Sequence, residues 1–283
     1  MQVVPAGVAP AEVPARIAIE QIGDASFADL LVELGIRAQR DALPGVQDKV
    51  SAAMINLPVA RAGERHILKL DPPEYRHLVE NEAFFLDAAR ASGLTVPPSD
   101  LVLDRDGHAG LLVRRFDRVS VDGAVRLLAV EDGCQAADRP PADKYRLSAE
   151  QTFAALAAVC DAPALAGREL IGQLAFAYLT GNGDAHAKNF SVLQSLDGEW
   201  RVSPAYDLPS SQPYGDTTMA LSIGGRSGAS SGHATSSSSE RSCTCPSARS
   251  DESCPGSTTG PTCGSPGSTS CRSIETGSPS SAE

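Results

Sequence analysis

Apolar residues recur at spacings of three and four from Leu78 to Ser92, where Leu78, Phe85, Leu86 and Ala89 share a stripe with Glu82 and Gly93 closes the run. This is the pattern of a helix with one buried face. A second helix opens at Ser148, whose S-x-x-Q spacing to Gln151 suits a capping box, and continues through Phe153, Leu156 and Val159. A third is expected over Arg168–Thr180, with Leu170, Ile171, Leu174, Ala177 and Tyr178 on one face and Gly181-Asn182-Gly183 ending it. Phe27–Leu34 reads as a short helix. Strand-like segments are Val50–Leu57, His66–Leu70, Asp100–Leu103, Gly110–Phe116, Ala124–Val130, Phe190–Leu193 and Trp200–Val202. In His66–Leu70, Leu68 and Leu70 face one side, while Lys69 shares the other with Ile67.

Strands early in the chain and helices later give an α+β fold: a small sheet-rich part followed by a helical one. The expected divisions are a partly ordered extension over residues 1–40, the sheet-rich part over 41–118, the helical part over 119–225 and a tail over 226–283. From Arg226 onward Ser, Gly, Thr, Pro and Cys dominate, no aromatic residue occurs, and Ile274 is the only branched aliphatic one. Such a segment cannot bury enough apolar surface to fold, so disorder is expected. The abrupt change suggests a frameshift near Gly225, testable by translating the other two reading frames of the gene.

Charge narrows the function. The 283 residues hold 24 basic and 35 acidic side chains, a net charge of -11, which disfavours direct nucleic-acid binding as the main activity. No run of about 18 apolar residues and no secretory signal is found, so a cytoplasmic protein off the membrane is expected. Of seven cysteines, Cys134 and Cys160 lie in the globular part, and Cys243, Cys245, Cys254, Cys263 and Cys271 lie in the tail without the paired spacing of a structural zinc site.

The densest chemistry is the loop Gly183-Asp184-Ala185-His186-Ala187-Lys188-Asn189, followed by a strand pair and Tyr206-Asp207. Asp197-Gly198 is a two-residue turn signal; pairing Leu196 with Glu199 sets Asn189 opposite Tyr206 and brings Asp207 within a residue of it. Oxygen ligands from Asn189 and Asp207 at one hairpin end suit Mg²⁺. Asp184 is then the general base for an attacking hydroxyl, Lys188 can neutralise charge on the transferred phosphoryl group, and His186 is a loop anchor close to the nucleotide. Glu82 inside an apolar stripe needs a partner, and Lys69 on the preceding strand is the nearest candidate. The turn at Pro44-Gly45, with Lys49 after it, is either a phosphate cradle or a plain hairpin turn. The run Arg114–Arg118 is either a base-binding hinge or a solvated strand end, and Glu131-Asp132-Gly133-Cys134-Gln135 is a polar cluster without an assigned role.

Taken together, Leu43–Lys49, His66–Leu70, Glu80-Asn81-Glu82, Arg115–Arg118, Glu131–Gln135, Gly183–Val192 and Pro204–Asp207 resemble, in order, the HipA-type toxin serine/threonine kinases of bacterial type II toxin-antitoxin systems. The resemblance spans about residues 40 to 225. It implies a bilobal protein-kinase-like fold, ATP and Mg²⁺ as cofactors, a protein substrate such as an aminoacyl-tRNA synthetase, and a HipB-like DNA-binding antitoxin as partner. Carried over by position, Gly45, Val46, Gln47 and Lys49 form the phosphate-binding loop and Lys69 is the nucleotide lysine. Arg114, Arg115 and Phe116 form the hinge, His186 and Tyr206 stand with the nucleotide site, Asp184 is the catalytic acid, and Asn189 and Asp207 hold metal. Two departures matter: Asp41-Ala42 stands where some members carry a regulatory serine, and with about forty residues before the loop the amino-terminal subdomain of longer members is expected to be missing or reduced. Two further readings stay open, a small-molecule or lipid phosphotransferase and an inactive relative that only binds nucleotide or antitoxin.

Overall fold

Period-two alternation builds the first layer of the protein. In a computed structural model that describes residues 17–33, 54–61 and 63–226, β1 (Ile17–Ala18), β2 (Ile55–Arg61), β3 (Glu64–Leu70), β4 (Ser99–Leu103) and β5 (Ala109–Arg114) form one sheet in the order β1-β2-β3-β5-β4. β1 runs parallel to β2 and the other pairs are antiparallel. The Gly45–Lys49 turn, the Val50–Ala53 start of the expected first strand, the extension before Ile17 and the tail after Arg226 lie outside the described residues.

Each face of this sheet is covered by a different helix. Leu57, Val59, Leu68, Leu70 and Leu112 pack with Phe27 of α1 (Phe27–Glu33), and Leu111 and Val113 pack with Leu78, Val79, Leu86 and Ala89 of α2 (Leu78–Ala91). The α2 stripe is turned slightly from the expected one: Val79 is fully buried and Phe85 only partly. Ala205 and Leu208, from beyond the sheet, enter the same cluster as α2. Asp104 joins the sheet to α1, its carboxylate accepting from the Phe27 N–H at 2.8 Å.

The expected strand Ala124–Val130 is two strands. Asp122 and Gly123, both at positive φ, make the tight turn that pairs β6 (Arg118–Val121) with β7 (Ala124–Leu127). After Leu127 the chain leaves that ribbon, and β8 (Val130–Asp132) pairs with β9 (Ser191–Gln194), itself paired with β10 (Trp200–Val202). Periodicity reports alternation but not a change of partner, which is why the break was invisible in sequence.

The helical part holds α3 (Gly133–Ala136), α4 (Ala149–Val159) and α5 (Pro163–Thr180) around Leu156, Leu170, Phe190, Val192 and Leu221. The Ser148–Gln151 capping box is present. α5 begins five residues before Arg168, because Pro163 takes a first-turn position where no N–H is needed. Its buried face is also rotated: Ala166 and Gln173 are buried, whereas Ile171 is 62% exposed and Tyr178 stands at the surface. Gln173 is buried because its Nε2 donates to the Ser203 carbonyl at 3.1 Å. No helix among the described residues is long and apolar enough to cross a membrane.

Candidate active site

Lys69 enters from β3, opposite Leu111 of β5, on the face that α2 covers. Its Nζ donates to Glu82 Oε1 at 2.7 Å and Oε2 at 2.9 Å, and also bonds Asp207 Oδ1. Glu82 is almost wholly buried, so the helix stripe that carries it had to place a cation against it. Burial pulls the Lys69 ammonium down, but the Asp207 and Glu82 carboxylates outweigh burial and hold its pKa above normal. Burial likewise works to raise Asp207, and the Lys69 charge wins and holds that carboxyl below the usual range.

Asp207 sits at φ +54°, a left-handed backbone that Asp tolerates better than most residues. Its Oδ2 accepts from Asn189 Nδ2 at 3.1 Å. The meeting of Asn189 and Asp207 therefore occurs, but by another register than the expected one. The strands pair Arg201 with Leu193 and Val202 with Val192, Ser195 N–H donates to the Glu199 carbonyl at 2.9 Å, and the loop has three residues, Leu196-Asp197-Gly198. Backbone pairing ends with the Ser203 N–H, which donates to the Ser191 carbonyl at 2.9 Å, so Tyr206 is placed by side-chain contacts instead: its hydroxyl donates to the Lys188 carbonyl at 2.8 Å and lies 2.6 Å from Ser191 Oγ.

The loop itself is tied down at both ends. Gly181 ends α5 at φ +69°, and buried Asn182 bridges two segments, donating to the Asp207 carbonyl at 2.8 Å while its Oδ1 accepts from the Asp184 N–H at 3.1 Å. A side chain at Gly183 would overlap Ser211 Oγ at 2.6 Å and the Thr218 carbonyl at 2.8 Å, so the chain passes only without one. Asn189 closes a short 3-10 turn, its N–H donating to the His186 carbonyl at 2.9 Å and its Oδ1 accepting from the His186 N–H at 3.2 Å. His186 is buried; desolvation, aided by the Lys144 charge and opposed by Asp184, lowers its pKa. Asp184 is also buried and accepts from the Tyr145 hydroxyl at 2.6 Å.

Lys188 pairs with Asp132. Asp132 was part of the unassigned polar cluster; its other oxygen caps α3, accepting from Cys134 and Gln135 N–H groups at 3.0 Å, and Gln135 completes a capping box. Its D-x-x-Q spacing is the same signal that marked Ser148, and could have been read as a cap. Gly133 lies against the loop, where an added Cβ would stand 2.5 Å from the Ala187 carbonyl. In the expected hinge, Arg114 reaches Glu64 at 3.5 Å, and Arg115 makes a two-pronged bond with Asp117 at 2.9 and 2.6 Å. The strand ends at Arg114, and the Phe116 ring lies 5.7 Å from the ring of Tyr206. Asn182, Ser211, Lys144 and Tyr145 were missed because each acts through a neighbour distant in sequence.

Comparison with known proteins places this geometry in a family. Residues 42–253 match the profile of the HipA-like C-terminal domain. The Sinorhizobium fredii protein Y4mE, whose kinase designation is provisional, is 37% identical over 203 residues, covering 68% of this chain and 48% of its own length. The serine/threonine-protein kinase toxin HipA of Shewanella oneidensis is 33% identical over 175 residues, covering 56% of this chain and 39% of its own. The solved structure of a Shewanella oneidensis HipA, in complex with HipB and operator DNA, superposes with a TM-score of 0.58 at 26% identity, over 78% of this chain and 57% of that one. The chain spans about half the length of the curated relatives it matches.

Proposed function

The chain belongs to the HipA-like C-terminal domain family, and from that premise we propose that it is an ATP- and Mg²⁺-dependent serine/threonine protein kinase and the toxin of a toxin-antitoxin pair. The observation that carries the reading is one buried ammonium, Lys69, held between Glu82 from α2 and Asp207 beyond the catalytic loop, with Asn189 on the other Asp207 oxygen. In this reading residues 41–118 make the small lobe of a kinase-like fold and residues 119–225 belong to the helical lobe.

Asn189 and Asp207 carry the hard oxygen donors that a divalent cation takes, and the Asp207 side chain is 41% exposed despite its bond to Lys69; Asn189, whose Oδ1 accepts from the His186 N–H and whose Nδ2 faces Asp207, would have to turn its amide to offer that oxygen. Bound with ATP, magnesium would supply charge neutralisation on the phosphates. The chain's own residues do the rest. Lys69, kept charged by its two carboxylates, binds nucleotide phosphate oxygens. Asp184 orients the acceptor hydroxyl and takes its proton as that oxygen bonds to the γ-phosphorus; the bond to the bridging oxygen breaks and its electron pair leaves on ADP. Lys188 steadies the developing charge from its place beside Asp132, and Gly45, Val46, Gln47 and Lys49 are assigned to phosphate binding from the sequence resemblance.

A HipB-like DNA-binding protein is the proposed partner, because the similar Shewanella HipA was solved with HipB and operator DNA. An aminoacyl-tRNA synthetase is the first protein acceptor to try. The test is transfer of label from γ-labelled ATP with Mg²⁺, beside Asp184→Asn and Asp207→Ala. We expect transfer to a protein hydroxyl that Asp184→Asn lowers by at least ~100-fold. Nucleotide binding in a thermal-shift assay without transfer above the variants would mean an inactive relative, and transfer only to small hydroxyl compounds a different phosphotransferase.

A further inference from the structure

Two adjacent side chains, absent from the motifs that carried the sequence resemblance, converge on the catalytic loop. Lys144 and Tyr145 follow the 3-10 turn Pro141–Asp143, between α3 and α4. The Tyr145 hydroxyl donates to Asp184 Oδ1 at 2.6 Å, and its ring meets the His186 ring edge-on at 5.2 Å. Lys144 Nζ lies 3.0 Å from His186 Nε2 and 4.7 Å above the Tyr145 ring, and the Lys144 carbonyl accepts from the Ala187 N–H at 3.1 Å. Thus one dipeptide touches three residues of the loop, Asp184, His186 and Ala187.

We propose that Tyr145 is a positioning residue for phosphoryl transfer, its hydroxyl fixing the Asp184 carboxylate in the orientation that receives the acceptor's proton, with Lys144 holding the loop behind it through His186. The inference rests on the kinase reading given above. A general base must be aligned with the hydroxyl it serves, and a short hydrogen bond to one carboxylate oxygen directs the other. The phenol is suited to the task. It stays protonated, since burial and then its bond to Asp184 raise its pKa, and so it remains a donor across the physiological range. Tyr145 is 40% exposed and contributes little to the core, so loss of its oxygen alone leaves no cavity.

The experiment compares the full chain with Tyr145→Phe and Tyr145→Leu, following ADP release from Mg·ATP with casein as acceptor, ATP affinity, melting temperature and intact mass. We expect kcat to fall ~10- to 100-fold in both variants, the range for one hydrogen bond to a charged group. KM for ATP, ATP affinity and melting temperature should stay those of the unmodified chain. Unchanged kcat in Tyr145→Phe overturns the proposal. So does a fall in kcat accompanied by a lower melting temperature, which indicates a structural tie, and so does phosphate found on Tyr145, which makes it an acceptor. If the unmodified chain releases no ADP above Asp184→Asn, the kinase reading itself fails and takes this inference with it.

Discussion

Glu82 is the residue whose environment is least forgiving. Almost wholly buried on α2, it has a pKa raised by desolvation, against which Lys69, lying against both oxygens, pulls back while the Asp207 charge adds to it. Lys69→Met should therefore cost roughly 3 to 5 kcal/mol in urea unfolding, while Lys69→Met combined with Glu82→Leu should recover most of that loss, because no uncompensated charge is then left inside. Both variants should lose ATP binding, which separates the stability role of the pair from its use. Protons act on this site in opposite senses. Asp207 has a depressed pKa, so its contribution to stability is present above about pH 4 and is lost as pH falls through its lower folded value. Lys69 has a raised pKa, so its contribution is present below about pH 10.5 and is lost as pH rises through its higher folded value. His66 and His186 are both lowered by burial, so the unfolded chain takes up protons below about pH 6.5 before the folded one does. That histidine contribution to stability should be lost between pH 7 and pH 5, and His66→Asn should shift the change in melting temperature over that range toward stability; an equal change in the variant would place the proton uptake elsewhere.

Short elements carry the loop. α3 has only four residues, but its cap, Asp132, is also the partner of Lys188, and its first residue, Gly133, touches the Ala187 carbonyl. Gly133→Ala should force the loop backbone away and cost about 1 to 3 kcal/mol, with a larger loss of kcat than of ATP affinity. At α4 the cap touches no catalytic group, so Ser148→Ala should cost about 1 kcal/mol in thermal or urea unfolding and leave turnover unchanged. The contrast tests whether α3 serves the chemistry or only the fold. Both caps are the same sequence signal, an oxygen three positions before Gln. Only one was legible in advance, because Ser148 precedes an amphipathic run whereas Asp132 ends a strand and starts a single turn.

Across the molecule, the sheet-bearing part and the helical part share more than a site. Leu208 and Ala205 pack into the cluster formed by α2 and β5, and Asn81 of α2 accepts from the Ser210 N–H at 2.8 Å. Leu208→Ala should cost about 2 to 5 kcal/mol and weaken ATP binding together with stability, since the same segment positions Asp207. Unfolding should stay a single transition by tryptophan fluorescence and circular dichroism; separate transitions would show that the shared cluster does not couple the two parts.

The sequence by itself determined which local elements hold the candidate site residues and why those residues stood out. Lys69 on a strand, Glu82 in an apolar stripe, Asp184 after a glycine-ended helix and the Ser148 cap follow from period, burial cost and turn chemistry, all of which act over a few residues. The tertiary structure alone decided the shifted hairpin register, the division of Ala124–Val130 between two sheets, the outward turn of Ile171 and the partners of Lys188, His186 and Asp184. Those outcomes depend on which surfaces meet. Local patterning says that Asp184 needs something beside it; only the folded chain brings Tyr145, 39 residues earlier, to that place.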